Sequence, residues 1–190
     1  MIGITGIARS GKDTLGLSLL KIINKSSKKK AKIYSIADIL KKDLNYLIKK
    51  NFGFSSFTED TNQKNLIRPI LVEYGEAMKR EHGDDVWINK LIKSVNFEKY
   101  IPIITDVRFD HEAKKLIDEH DAFIIHISRV GAEVPNDLEK QNDPKVKELS
   151  HLQYMWPTFG EKKLKLADDH SSILWQMVYP QHKEKWKIQN

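Results

Sequence analysis

At 190 residues and 40% hydrophobic content, the chain can close one core of ordinary α/β size, with room for a small appended lid. Its 32 basic and 26 acidic side chains leave a formal charge of +6, which suits an anionic ligand and is also common among nucleic-acid binders. The absence of cysteine excludes disulfides and thiolate metal sites, and no apolar stretch approaches membrane-spanning length. With no signal-peptide pattern at the N-terminus either, the expectation is a soluble, cytoplasmic protein without a membrane partner.

Met1 to Thr5 reads as a strand. The loop after it, Gly6-Ile-Ala8-Arg9-Ser10-Gly11-Lys12, places two glycines five apart and a lysine next, the strand–loop–helix pattern GxxxxGK[ST]. Asp13 stands where Ser or Thr is expected, and Thr14 follows. Glycines let the backbone turn back and aim several N–H groups at phosphate oxygens, and the next helix adds the partial positive charge of its N-terminus. Lys12 then reaches the β- and γ-phosphates of ATP. Asp13 holds Mg²⁺ directly or through water, or simply favours the helix start, and Thr14 is the alternative hydroxyl.

Leu15, Leu19, Leu20, Ile22 and Ile23 lie at helical spacing, and a polar connection through Lys30 leads to a strand over Ala31 to Ile36. Strand, helix, strand predicts a parallel sheet. Helices are expected over Ala37 to Phe52 and Asn65 to Glu81, with Pro69 marking either a start or a kink in the second. Gly83-Asp84-Asp85 caps a helix whose apolar face is Trp87, Ile88, Leu91, Ile92 and Val95.

Ile101 to Thr105 reads as a buried central strand, Asp110 as the cap of a helix to about His120, and Ala122 to Ser128 as a further strand. Val130 to Gln153 is polar, either a mobile segment over the site or a long surface loop. A fifth strand is predicted near Lys163 to Ala167, then a helix from Asp168 through Val178 that Pro180 stops; the tail from Gln181 to Asn190 is unassigned. The fold expected is three-layer α/β, a mainly parallel five-stranded sheet flanked by helices, in one domain over 1–190. Within it, 37–95 is a helical region, the acceptor-binding one if the resemblance given below holds, and 130–153 the lid candidate.

Asp106-x-Arg108-x-x-x-Glu112 follows the central strand, at the sheet edge where open α/β folds bind ligands. Asp106 suits a Mg²⁺-water ligand or proton acceptor, Arg108 bridges phosphates, and Glu112 on the next helix faces the same crevice. Arg129, directly after an apolar strand, reaches phosphate or a base, or forms an ion pair. Arg68 is a helical arginine with little weight by itself. The seven histidines show no metal-ligand spacing, and His111 and His151 alone lie near site segments. Trp156, Trp175 and Trp186 leave core and interface, and with it a homodimer, both open.

These residues resemble the deoxynucleoside monophosphate kinases of tailed phages. Arg9-Ser-Gly-Lys-Asp-Thr14 matches that family's RSGKDT, and Asp106-Val-Arg-Phe-Asp-His-Glu112 its DxRxDHE. Ala37-x-x-Leu40-Lys41 is similar to the segment after its second strand, Arg68 with Leu71 and Gly75 to its RRLMQxLG helix, Trp87 to a downstream tryptophan, and Ile125 to Gly131 to its strand ending in R-P-G.

The resemblance implies the P-loop nucleoside monophosphate kinase fold and transfer of the γ-phosphate of ATP, with Mg²⁺, to a deoxynucleoside monophosphate, in the infected-cell cytoplasm. By resemblance Gly6, Ala8, Arg9, Ser10, Gly11, Asp13 and Thr14 join Lys12 at the ATP phosphates. Asp38, Lys41, Arg68, Gly75, Trp87, Asp106, Arg108 and Glu112 line the monophosphate site, and Lys12, Asp106, Arg108 and Arg129 carry the chemistry. Pro69 and Glu76 depart from the pattern, and the chain lacks an insertion before the Arg68 helix. The departures fall on the acceptor side. The rival enzyme readings are a phosphomevalonate- or dephospho-coenzyme A-type kinase, since phosphomevalonate kinases also carry GKD loops. A basic nucleic-acid-binding protein is the non-enzyme rival. No RNP-type or helix-turn-helix signal supports it, so small-molecule nucleotides, not nucleic acid, are the partners expected.

Overall fold

The computed structural model describes residues 1–134, 136–157 and 163–186 and, among these, the side chains of all but Lys163 and 181–186. The elements run β1 (Ile2–Thr5), α1 (Lys12–Ser26), β2 (Lys30–Tyr34), α2 (Ile36–Phe52), α3 (Thr61–His82), α4 (Val86–Ser94) and β3 (Tyr100–Val107). They continue with α5 (Asp110–His120), β4 (Phe123–Arg129), α6 (Asp137–Glu148), β5 (Leu152–Trp156) and α7 (Lys163–Trp186). They fall into two compact units, Met1–Tyr34 with Asn96–Asn190, and Ser35–Val95.

The first unit is built on a five-stranded, all-parallel sheet in the order β2-β3-β1-β4-β5. The chain leaves β1 toward β2 on one side and later fills the other side with β4 and β5. The strand order therefore reverses at β1, and a crevice opens at the C-terminal ends of β1, β3 and β4, the place where such sheets take ligands. Register fixes what meets there: Thr5, the last residue of β1, pairs with Val107 of β3 and His126 of β4. The loop that begins at Gly6 thus emerges between the ends of two neighbouring strands.

The alternation of side chains along each strand gives the sheet one dense apolar face. Ile2, Ile4, Ile101, Ile103, Phe123, Ile125 and Ile127 pack there against Leu15, Leu19 and Ile23 of α1 and Ala167, Leu174, Trp175 and Val178 of α7. Each aliphatic side chain fully withdrawn from water contributes roughly 1.5–3 kcal/mol. Asp168 adds a polar tie between the same two helices, accepting hydrogen bonds from Ser18 Oγ at 2.7 Å and Lys21 Nζ at 2.8 Å. Trp156 and Trp175 belong to this core, at 0% and 6% exposed; Trp186 falls outside the described side chains.

The second unit consists of α2, α3 and α4. Ile36, Ile39, Ile48, Ile67, Val86, Trp87, Ile88, Leu91 and Val95 are its buried apolar residues. Ser35 caps α2 by accepting the Asp38 N–H, and Asp60 caps α3 by accepting that of Gln63. Asp43 of α2 pairs with Lys90 of α4 and accepts from the Tyr74 hydroxyl of α3, so one carboxylate joins all three helices.

Several expectations are corrected. The fifth strand is Leu152–Trp156; Lys163 to Ala167 opens α7 instead. That stretch alternates polar and apolar residues. Beyond it, though, the buried positions Ala167, Ser171, Leu174, Trp175 and Val178 follow the helical period, which settles the segment as helix. Val130 to Gln153 is not an irregular loop: it contains α6 and the start of β5. Pro69 lies inside α3, which begins at Thr61, and Pro180 lies inside α7 instead of ending it. Asp106 is within β3 instead of after it, and Phe109, not Asp110, holds the cap position of α5. Residues 187–190 of the unassigned tail lie outside the described residues. Among the described residues no helix is long and apolar enough to cross a membrane.

Candidate active site

The loop between β1 and α1 is shaped by positive-φ backbone conformations, which glycine adopts most readily. Gly6 has φ +132° and Gly11, at the cap position of α1, φ +100°. Arg9, exposed at the tip of the loop, also takes a positive φ of 63°. Glycine at 6 is needed for space as well: a Cβ there would lie 2.0 Å from the carbonyl oxygen of Ile127 in β4. The loop is held by Ser10 N–H donating to Ile7 O at 3.2 Å, and α1 opens with Leu15 N–H on Gly11 O at 3.0 Å.

Lys12 folds back into this loop. Its ammonium donates to Gly6 O at 2.8 Å and Ile7 O at 2.7 Å, and the side chain is buried. Burial lowers its pKa, and the Arg108 guanidinium pushes it the same way, against the opposing pull of Glu139, Asp13 and Asp106. Two cations and three carboxylates thus act on one another at the C-terminal edge of the sheet. Asp13 is exposed, Thr14 and Asp106 half-buried.

Ser10 Oγ is buried and has no hydrogen-bond partner among the described residues. An unpartnered hydroxyl in a concave loop of this kind fits a phosphate oxygen or a water on a metal. Among the described residues no group of three or more His, Asp or Glu side chains is placed to hold a metal ion. Sparse donors of the kind the loop and the end of β3 carry fit Mg²⁺, which keeps most of its waters and takes one or two protein carboxylates. Asp13 and Asp106, with the hydroxyls of Ser10 and Thr14, are the groups that would serve it.

Arg108 follows the end of β3 and is exposed; its Nη1 donates to Glu139 Oε1 at 3.1 Å. Glu112, 6% exposed, gives its Oε2 to the backbone N–H groups of Arg108 at 2.9 Å and Phe109 at 3.1 Å. The carboxylate therefore caps α5 from its third position and fixes the backbone that carries Arg108. Burial raises its carboxyl to about 7; the two N–H donors pull it back, and Asp106 pushes it upward again.

A stability prediction arises here. The folded chain binds a proton at Glu112 that the unfolded chain has already released above the ordinary carboxylate pKa of 4.5. Its contribution is thus complete below pH 4.5, declines as pH rises toward 7, and is flat above. Glu112→Gln keeps both acceptor bonds without the charge. Urea unfolding across this range should show wild type losing stability relative to the variant by up to a few kcal/mol between pH 4.5 and 7. A difference independent of pH would mean Glu112 is ionised throughout.

Arg129 ends β4 and is half-buried. In the helical unit, Asp38 and Lys41 form an ion pair at 3.2 Å, and Lys41 also lies 5.6 Å from the Phe57 ring. Arg68 is exposed on α3. Gly75 allows α3 and α4 to meet: Trp87 Nε1 donates to Gly75 O at 3.2 Å, and the indole is 4% exposed. The loop, Lys12, Asp106, Arg108, Glu112 and Arg129 thus belong to the sheet unit, and Asp38, Lys41, Arg68, Gly75 and Trp87 to the helical one. Glu139, in contact with both the loop and Arg108, was not among the expected residues, and its polar surroundings in the sequence carry no pattern that singles it out.

Comparison with known families finds a match. The model of the phosphomevalonate kinase family fits residues 4–123, well over half of the chain. The span runs from β1 to the first residue of β4 and takes in the loop, Asp106, Arg108, Glu112 and the whole helical unit; Arg129 and Glu139 lie beyond it. No curated protein matches the chain.

Proposed function

The chain belongs to the phosphomevalonate kinase family, a family of small-molecule kinases, and on that premise we propose that it transfers the γ-phosphoryl group of ATP to the phosphate of a small phosphomonoester. The observation that carries the reading is the loop after β1: two positive-φ glycines, a buried lysine and an unpartnered serine hydroxyl, at the switch point of a parallel sheet.

In this reading an oxygen of the acceptor phosphate forms a bond to the γ-phosphorus, the bond from that phosphorus to the bridging oxygen breaks, and ADP leaves with the electron pair. No covalent enzyme intermediate is required. The chain's part is positioning and neutralisation. The loop amides and Lys12 hold the donor phosphates, and Arg108, carried on a backbone that Glu112 fixes, and Arg129 draw off charge from the transferring group. Mg²⁺, when bound with the nucleotide through Asp13, Thr14 or Asp106, would supply further neutralisation of the phosphate oxygens.

Phosphomevalonate is the first acceptor to offer, on the family match. A deoxynucleoside monophosphate is the second, on the resemblance carried by Arg9 to Thr14 and Asp106 to Glu112. ADP release from ATP and Mg²⁺ with each acceptor in turn decides between them. Release that depends on phosphomevalonate, or on one of the deoxynucleoside monophosphates, identifies the substrate class. ATP consumption indifferent to every acceptor, or none at all, would remove the kinase reading.

A further inference from the structure

Glu139 sits in the first turn of α6, where its carboxylate has unusual company. Oε2 accepts the N–H of Ala8, in the middle of the loop, at 2.6 Å, while Oε1 accepts Arg108 Nη1 at 3.1 Å. The side chain is only 10% exposed, and its charge is felt at Lys12. A loop amide on one oxygen and a guanidinium on the other is the environment this loop is shaped to offer a phosphate. The helix is anchored around that contact. Asn136 accepts the Glu139 N–H at 2.9 Å, Asp143 Oδ1 meets His126 Nε2 at 3.1 Å, and Val146 is fully buried.

We propose that Glu139 is an internal occupant of the phosphate site, standing in for a nucleotide phosphate oxygen on the Ala8 amide and holding Arg108 until nucleotide displaces it. The inference rests on reading the loop as the ATP site. Its content follows from the bidentate grip. A triphosphate and a carboxylate repel each other at this range, so the ligand cannot take the Ala8 amide while Glu139 keeps it. Once displaced, the same carboxylate also lets go of Arg108. Binding of the donor therefore releases the arginine that the transfer needs, and links the arrival of ATP to readiness for the acceptor. An internal competitor lowers the apparent affinity by the fraction of time the site is open; if that is about one-tenth, removing it strengthens binding about tenfold.

Glu139→Gln keeps the shape but not the charge, and its carboxamide can accept only one of the two hydrogen bonds. Calorimetric titration of the full chain with ATP, and separately with tripolyphosphate, which has no base or sugar, compares the variant with wild type. The expected result is about tenfold tighter binding of both probes by E139Q. Asp137→Asn, which removes a charge from the same turn on an exposed side chain, should change neither by more than about twofold. Equal binding in E139Q overturns the proposal, and weaker binding overturns it too, since Glu139 would then help to hold the ligand. A wild-type chain that binds neither probe defeats the phosphate-site reading itself, a failure distinct from that of Glu139. Should E139Q not fold, Glu139→Asp, one methylene short of Ala8, carries the same expectation of tighter binding.

Discussion

Lys12→Ala removes phosphoryl transfer while leaving the chain folded. Lys12, the first residue of α1, folds its ammonium back onto Gly6 O and Ile7 O, on a buried side chain. When phosphates replace those carbonyls as its partners, its charge meets the negative charge that builds on the oxygens of the transferring group, and its burial makes that contact stronger than it would be in water. Loss of one such donor costs about 100- to 1,000-fold in turnover, and a cation acting on a triphosphate belongs at or above the upper end. The fold survives because two effects oppose. The carbonyls of Gly6 and Ile7 lose a donor, at about 1–2 kcal/mol, but the chain no longer keeps a desolvated ammonium in a place that already lowers its pKa. ADP release with the identified acceptor, and urea unfolding of the same preparation, check both halves. Wild-type turnover by folded Lys12→Ala would take Lys12 out of the chemistry. Lys12→Arg should not restore the rate, because the planar guanidinium cannot fit the two-carbonyl pocket that a compact ammonium fills.

What could be read from the sequence divides along a physical line. Local patterns were legible. The glycine spacing around Ser10 encodes a loop because only certain backbone angles accept such residues, and the apolar runs at Ile2, Ile101 and Phe123 encode strands buried on both faces. The parallel sheet followed from the strand–helix–strand alternation, whereas the order β2-β3-β1-β4-β5 comes from the structure alone. The Asp106 to Glu112 segment was legible as the passage from a central strand into a helix, but Glu112's bonds to the N–H groups of Arg108 and Phe109 were not, because they depend on how α5 turns away from β3. Features made by distant contacts left little trace. In α6, the run from Asp137 to Glu148 includes Pro144 and has Val146 as its buried residue, so it resembles a loop in composition while folding as a helix. Glu139 is one acid among many there, and only its position 131 residues along the chain from Ala8 gives it meaning. The edge strand β5 was hidden for a related reason. Leu152, Tyr154 and Trp156 alternate with Gln153 and Met155, a five-residue signal that the polar stretch before it obscures.

Gly6→Ala is the substitution expected to damage the fold and the site together. Two costs combine at this position. The first is conformational: φ +132° is a region that alanine rarely enters, worth about 1–3 kcal/mol. The second is steric and comes from the sheet. Thr5 pairs with His126, which brings the β4 backbone alongside the loop, so the new Cβ would meet Ile127 O at 2.0 Å and the Ile127 carbonyl carbon at 3.1 Å. Neither atom is the end of a flexible side chain. Relief requires either β4 or the loop to move, and moving the loop disturbs the carbonyls that hold Lys12 and the hydroxyl of Ser10, 3.0 Å from the same Cβ. Gly53→Ala isolates the first cost. Gly53 ends α2 at φ +76° with none of the described residues within 4 Å of an added Cβ, so alanine there should cost only about 1 kcal/mol. Urea unfolding of the two variants beside wild type should place Gly6→Ala at about 3 kcal/mol or more, with nucleotide binding lost in whatever fraction stays folded. If the two alanines prove equally mild and Gly6→Ala still binds ATP normally, the contact between loop and β4 cannot be as close as the pairing of Thr5 with His126 makes it. The case for the loop as a site set rigidly between strand ends would then fail.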